Sequence, residues 1–336
     1  MAEVQRSRTG VRRALQALRA LGLAGLLAAA AAGAHAQESA EGQPVPPDVP
    51  GVEPPTLESA REAVRATTIW LARGVDSWFG DRPFEAGGRV SDGLLSVRVF
   101  QREGERPDVD VRLHARLRLP NLGESGFAFL GRDDPREAVA DTPGAVARWE
   151  RLQRGNRDDA GFLAGVGVAL REAFDFRLGV RGRLKPYLQA RYHQEWEPDE
   201  IHLIEFRQTF FLTKEDRLGS TTVFSVAHAA SPELTLRWLT AATITQRVPR
   251  TEVSNVIGVY RGFGDRRLLS FEVLATALEN TGVDLDDAGV LLKWEQPFLR
   301  DWLVGELAIG HFWPRPDPLL PRARSWAAGF GVRLSF

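Results

Sequence analysis

The stretch VDVRLHARLRL, residues 109–119, alternates without a break. Val109, Val111, Leu113, Ala115, Leu117 and Leu119 hold one parity; Asp110, Arg112, His114, Arg116 and Arg118 hold the other. Successive side chains of a β-strand point to opposite faces, so this is a strand with one apolar and one charged face. Two environments produce that pattern. One is a half-buried strand of a soluble sandwich; the other is a barrel strand with lipid outside and water inside.

The rest of the chain chooses between them. The last residues repeat the pattern, with Trp326, Ala328, Phe330, Val332, Leu334 and Phe336 on one face and small or polar residues on the other. From Val90 onward the period stays at two through fourteen segments. They are about 93–103, 107–119, 124–134, 159–171, 173–184, 186–197, 200–213, 218–230, 233–247, 250–263, 265–278, 286–297, 299–313 and 323–336. About ten residues suffice to cross a membrane on a tilted strand. Connections after even-numbered segments are tight: NLGE, EAF, EPDE, SPE, FGDR and FLRD. Those after odd-numbered segments vary more, and 133–158, 280–287 and 314–322 are long. Short turns at one end and longer loops at the other is an outer-membrane barrel arrangement. The count falls to twelve if two segments, with 93–103 and 124–134 the first candidates, do not span.

Apolar parity assigns the faces. The inward side takes Arg98 on the first segment, and Arg112, His114, Arg116 and Arg118 on the second. Segment five contributes Arg177, Arg181 and Arg183, and segment six Arg191, His193 and Glu195. Glu205 and Arg207 follow on segment seven, Glu272 on eleven, Lys293 and Glu295 on twelve, Glu306 on thirteen and Arg333 on fourteen. Unpaired buried charge is very costly, so this inner face cannot be a sandwich core. It can line a wet lumen, or its ions can pair across one. Trp196, Trp238, Tyr260, Trp294, Trp313 and Trp326 fall outward near strand ends, as interfacial girdles do.

On these residues the chain, from about 90 to 336, resembles Gram-negative outer-membrane β-barrels. The resemblance implies a transmembrane antiparallel barrel in the outer membrane, surrounded by lipid and lipopolysaccharide, with both mature termini in the periplasm. It also implies that Phe330, Val332, Leu334 and the final Phe336 are the signal read by the barrel-assembly machinery. An exported linker, a helix and a barrel together look like porin-like families with no assigned function.

The N-terminus fits export. Residues 1–36 carry a basic start (Arg6, Arg8, Arg12, Arg13, Arg19), a short apolar core and the pattern Ala34-His35-Ala36, a cleavable signal peptide. Its removal takes away five arginines and one glutamate, four net positive charges, and moves the formal charge from −1 to −5. Residues 37–55 are a Pro-rich linker. Over 56–80, Leu57, Ala60, Val64, Leu71, Val75 and Trp78 recur at helical spacing behind the capping residue Thr56, an amphipathic periplasmic helix. Its apolar stripe would suit a charged lumen badly. The expected place is outside, with 57–79 open to a periplasmic partner.

Catalytic and metal motifs are sparse. The chain has no cysteine, so thiol and zinc–cysteine chemistry are excluded. Outer-membrane phospholipases and lipid A deacylases use a His-x-Ser pair on one strand face. Two residues after His114, His193, His202, His228 and His311 stand Arg116, Glu195, Ile204, Ala230 and Trp313. Asp133-Asp134 and Asp158-Asp159 flank the longest external loop and read as solvated charge rather than a protease dyad. Asp284, Asp286, Gly289 and Glu295 mimic a calcium loop, but Ala288 breaks the pattern and no helices flank it. No metal site, cofactor or nucleic-acid surface is expected. The favoured function is a narrow pore for small solutes with an arginine-rich wall. The alternatives are a non-conducting, partner-binding barrel and, behind it, a lipid hydrolase.

Overall fold

A computed structural model describes residues 57–76, 87–123, 125–154, 161–170, 173–264, 266–279, 283–315 and 321–336. Helix α1 is Leu57–Asp76. Strands β1 (Arg89–Arg102), β2 (Asp108–Arg118) and β3 (Gly126–Asp133) follow. Helices α2 (Pro135–Ala140) and α3 (Gly144–Arg154) separate β3 from β4 (Gly161–Leu170). Then come β5 (Phe174–Arg181), β6 (Lys185–Asp199), β7 (His202–Thr213), β8 (Arg217–Ser231) and β9 (Leu234–Thr245). The last are β10 (Thr251–Phe263), β11 (Arg267–Glu279), β12 (Val283–Phe298), β13 (Arg300–Pro314) and β14 (Ser325–Ser335).

These fourteen strands form one closed antiparallel barrel. Each pairs with its sequence neighbours, and β14 closes on β1 from Leu94 opposite Ser335 to Arg102 opposite Ala327. Closure leaves no unpaired edge, which is the condition for strands to sit in lipid. Register follows the alternation, because a slip of one residue would turn every apolar side chain inward. Val109, Leu178, Leu188, Phe210, Ile257 and Phe271 stand exposed on the outer wall. Phe330, Val332 and Leu334 share that face, and the Phe336 amide donates to the Gly93 carbonyl at 3.0 Å.

The terminal rim carries the start of β1 and the end of β14; the opposite rim carries the β1–β2 and β3–β4 connections. Three expectations need correction. The 280–287 connection shrinks to 280–282, because β12 begins at Val283. Tyr260 faces inward, not into a girdle: its hydroxyl donates to Glu272 at 3.0 Å. The β3–β4 connection is not an external loop, since α2 and α3 fold into the barrel.

The core explains this last point. Val146, Trp149 and Leu152 lie on one side of α3 and pack with Phe100, Val223, Leu239, Val256, Leu274, Leu291 and Phe312. All seven sit on inward faces of the strands. These residues form an apolar patch on the lumen wall because they cover one side of a helix. A methyl group at Gly289 would collide with the Trp149 ring, so β12 needs glycine there to let α3 come close. Gly165 and Gly167 on β4 leave room for the Phe129 and Phe127 rings.

The chain divides at Val64–Arg65, and the second unit holds the rest of α1 with the barrel. Within that unit Ile69 packs against a cluster of Ala115, Leu117, Leu119, Ala128 and Leu130. These residues have the outward parity of β2 and β3. The end of the helix expected over 56–80 lies outside the described residues.

Candidate lumen constriction

Helices α2 and α3 divide the lumen. On one side a cavity of about 410 Å³ is lined by Arg112, His114 and Arg116 of β2, Phe127 and Phe129 of β3, Arg177 of β5 and Arg191 of β6. The helix side supplies Glu137, Asp141 and Arg151. On the other side a cavity of about 200 Å³ lies between the same helices and a wall that includes Arg181, Phe211, Thr243 and Ser254.

Local structure sets the loop's path. Asp134 caps α2, its carboxylate accepting from the Arg136 amide at 2.8 Å and the Glu137 amide at 3.5 Å. Asp141 ends α2 with φ 57°, in the left-handed region where aspartate is tolerated. Neither Asp133 nor Asp134 is a solvated loop charge, which corrects the sequence reading. Asp133 pairs with Arg112, and Asp134 is buried. Asp158-Asp159 lies outside the described residues.

Ion pairs hold the helices to the wall. Arg112 donates to Asp110 at 2.7 Å and Glu137 at 2.9 Å, as well as to Asp133. Arg151 donates to Glu137 at 2.6 Å and lies 3.9 Å from Asp110. Arg148 meets Glu272 at 3.5 Å and Glu306 at 4.0 Å. Asp141 pairs with Arg191 at 3.6 Å and Arg207 at 3.1 Å. Asp110 is fully buried, and losing one partner of such a network costs about 3–5 kcal/mol. Burial is the main influence on Glu137 and holds its carboxyl above the usual carboxylate range, against the pull of Arg151 and Arg112.

The other lumen residues named from sequence fall into smaller groups. Arg98 reaches Glu306 at 3.9 Å and Asp110 at 4.0 Å. Arg177 meets Asp175 at 3.0 Å, and Arg191 shares that carboxylate. His193 lies 3.3 Å from Glu195 and 3.5 Å from Glu205, while Arg237 donates to Glu205 at 3.0 Å. Lys293 and Glu295 pair at 2.6 Å, with Arg333 at 3.5 Å. Arg118 ends β2. Arg181 binds Glu215 at 2.9 Å in the β7–β8 turn. Hydrogen bonds from Lys185 and then Arg181 hold the Glu215 carboxyl at a pKa of about 2. Arg183 does not line the lumen. Strand β5 ends at Arg181, so Arg183 sits exposed in the turn, which corrects its assignment.

Arg116 differs from the rest. Among the described residues it has no ion pair; its guanidinium lies 3.7 Å from the centre of the Phe127 ring. A cation–π contact satisfies one face of the guanidinium and leaves its in-plane N–H groups free for an anion. Sequence reasoning missed Glu137, Asp141, Arg148, Trp149 and Arg151, all within the loop taken as external. Five arginines and four carboxylates line the larger cavity. The arginines stand mainly on the strands; Glu137 and Asp141 come from the loop. Asp92 and Asp133 stand on the strands with the arginines, and Arg151 stands on the helix, so both walls carry both signs.

No protein-family model matches this chain, and neither does any curated protein. Solved barrels do. The outer membrane channel DcaP of Acinetobacter baumannii aligns over 75% of this chain and 98% of its own at 8% identity, TM-score 0.45. Outer-membrane expressed OmpT of Vibrio cholerae aligns over 74% and 98% at 11% identity, TM-score 0.44. The KdgM porin aligns over 72% and 99% at 8% identity, TM-score 0.35. The architecture is a closed antiparallel β-barrel, as in these channels and porins, with fourteen strands here. At such low identity the likeness is one of barrel architecture alone. Among the described residues no serine hydroxyl is hydrogen-bonded to a histidine.

Proposed function

We propose that the protein is a narrow outer-membrane pore for small solutes, favouring anions along the wall built by β2, β5 and β6. The observation that carries this reading is Arg116, an arginine facing the 410 Å³ cavity with no carboxylate partner among the described residues. Charged side chains lining a constriction select by sign. Near-balance between five arginines and four carboxylates supports a modest preference rather than an exclusive one. In this reading the signal peptide ends at residue 36, and the terminal rim with both mature termini faces the periplasm. The 37–55 linker and α1 then lie on that side. Phe330, Val332, Leu334 and Phe336 serve assembly, and lipid and lipopolysaccharide surround the wall.

A second reading has its own support. Most lumen arginines are paired, and α3 packs against an apolar patch of the lumen wall. Both fit a non-conducting barrel that meets a partner through α1 or its rims. Single-channel recording of residues 37–336 in planar bilayers, beside a form lacking 135–154, separates the two. Discrete steps in the full chain with a reversal potential of anion sign support the pore. Steps only after the deletion make the loop a plug, and silence in both forms with a folded barrel overturns the pore.

A further inference from the structure

Asp199, His202 and His228 form a second polar constellation, on the barrel wall near the terminal rim. It owes nothing to the lumen. His202 and His228 stand opposite each other on β7 and β8. The turn before β7 fixes the third member. Asp199 Oδ1 accepts from the Ile201 amide at 3.1 Å and from the His202 amide at 2.8 Å. The same carboxylate lies 2.8 and 2.9 Å from His202 Nδ1. Acting only as an acceptor, it holds the proton on Nδ1 and leaves the Nε2 lone pair facing away. That Nε2 lies 3.1 Å from His228 Nδ1, with ring centres 4.8 Å apart.

We infer that His202 Nε2 and His228 Nδ1 form a two-nitrogen chelate for a divalent transition-metal ion of the copper, nickel or zinc type. The geometry fits. Metal–imidazole bonds of about 2.0–2.1 Å span two nitrogens at this separation with an angle of roughly 100° at the metal, between square-planar and tetrahedral. The donor set fits too, because imidazole pairs suit these ions whereas calcium and magnesium take oxygen. Asp199 plays the part that a carboxylate behind a metal-bound histidine plays elsewhere, fixing tautomer and ring direction. Among the described residues no group of three or more candidate ligands exists, so water completes the coordination. His202 is partly exposed, which leaves room for it. A metal there would clip β7 to β8 beside the turn. The plain alternative is a proton shared between the two rings, with no metal affinity.

The test uses the untagged mature chain, folded in detergent, with gel mobility as the check on folding. Copper(II) is titrated by calorimetry, and the bound ion is read by electron paramagnetic resonance. One equivalent with hyperfine splitting from two nitrogens is expected. His202→Ala and His228→Ala should each weaken it at least tenfold, and Asp199→Asn by about 10–100-fold through lost orientation of His202. Zinc(II) should raise the unfolding temperature of the native chain and leave that of the double histidine variant unmoved. Unchanged copper binding in the folded double variant would overturn the inference, as would absence of binding by the folded native chain at millimolar metal.

Discussion

A guanidinium lying on a phenyl ring keeps its charge while its edge stays open, and in this lumen Arg116 is the residue in that state. Arg116→Ala should therefore lower the anion-to-cation permeability ratio, read as a shift in reversal potential under a salt gradient, and change stability little. Arg112→Ala should act mainly on stability. It leaves Asp110, Asp133 and Glu137 short of a partner, so about 3–5 kcal/mol of stability should be lost in urea unfolding. Glu137 sets the pH response. Its folded pKa is raised by burial, so this group alone adds stability at low pH and withdraws it as pH rises through the raised value. The same proton neutralises the acid facing Arg112 and Arg151. Anion preference should climb as pH falls through that raised value. Glu137→Gln should show the high preference already at neutral pH and lose that step; a step of unchanged size would remove Glu137 from the account.

At the scale of elements, α3 decides how much of the lumen is open. Trp149→Ala removes the largest side chain holding it, at an expected cost of about 3–5 kcal/mol. Gly289→Val strikes the same contact from the β12 side and should cost about 1–3 kcal/mol through overpacking. Both should raise single-channel conductance, since a loosened helix blocks less, and equal conductance in both would show that α3 does not narrow the path. This element also marks where sequence reading stops. Period-two alternation exposed the strands because lipid outside and polar lumen inside write opposite demands on adjacent residues. Val146, Trp149 and Leu152 carried helical spacing too, but only over two turns and amid charges that looked solvated. Whether a loop turns inward depends on partners such as Leu274, Leu291 and Phe312, scattered over distant strands. Arg112 and Arg116 were both legible as inward cations. Which of them was paired was not, because Glu137 and Asp133 reach Arg112 only through the folded loop.

For the whole molecule, the fourteen strands close on one another with no part of α1 in the ladder. Ala115, Leu117 and Leu119, covered near Ile69, are apolar and suit lipid as well as protein. A chain starting at residue 87 should therefore still fold in detergent and still migrate as a heat-modifiable barrel on gels. Failure of that form to fold would make α1 part of the barrel's stability rather than an appendage to it.

The pairing of Leu94 with Ser335 has a consequence for the order of events. Hairpins between sequence neighbours form cheaply, because little chain entropy is lost in closing them. The seam joins nearly opposite ends of the sheet, so it can zip only when every intervening strand is in place. Until then the growing sheet has two raw edges, each a template for the wrong neighbour. The meeting of the first and last strands should therefore be the slow step in folding, and anything that shields those edges should change the time taken rather than the final stability.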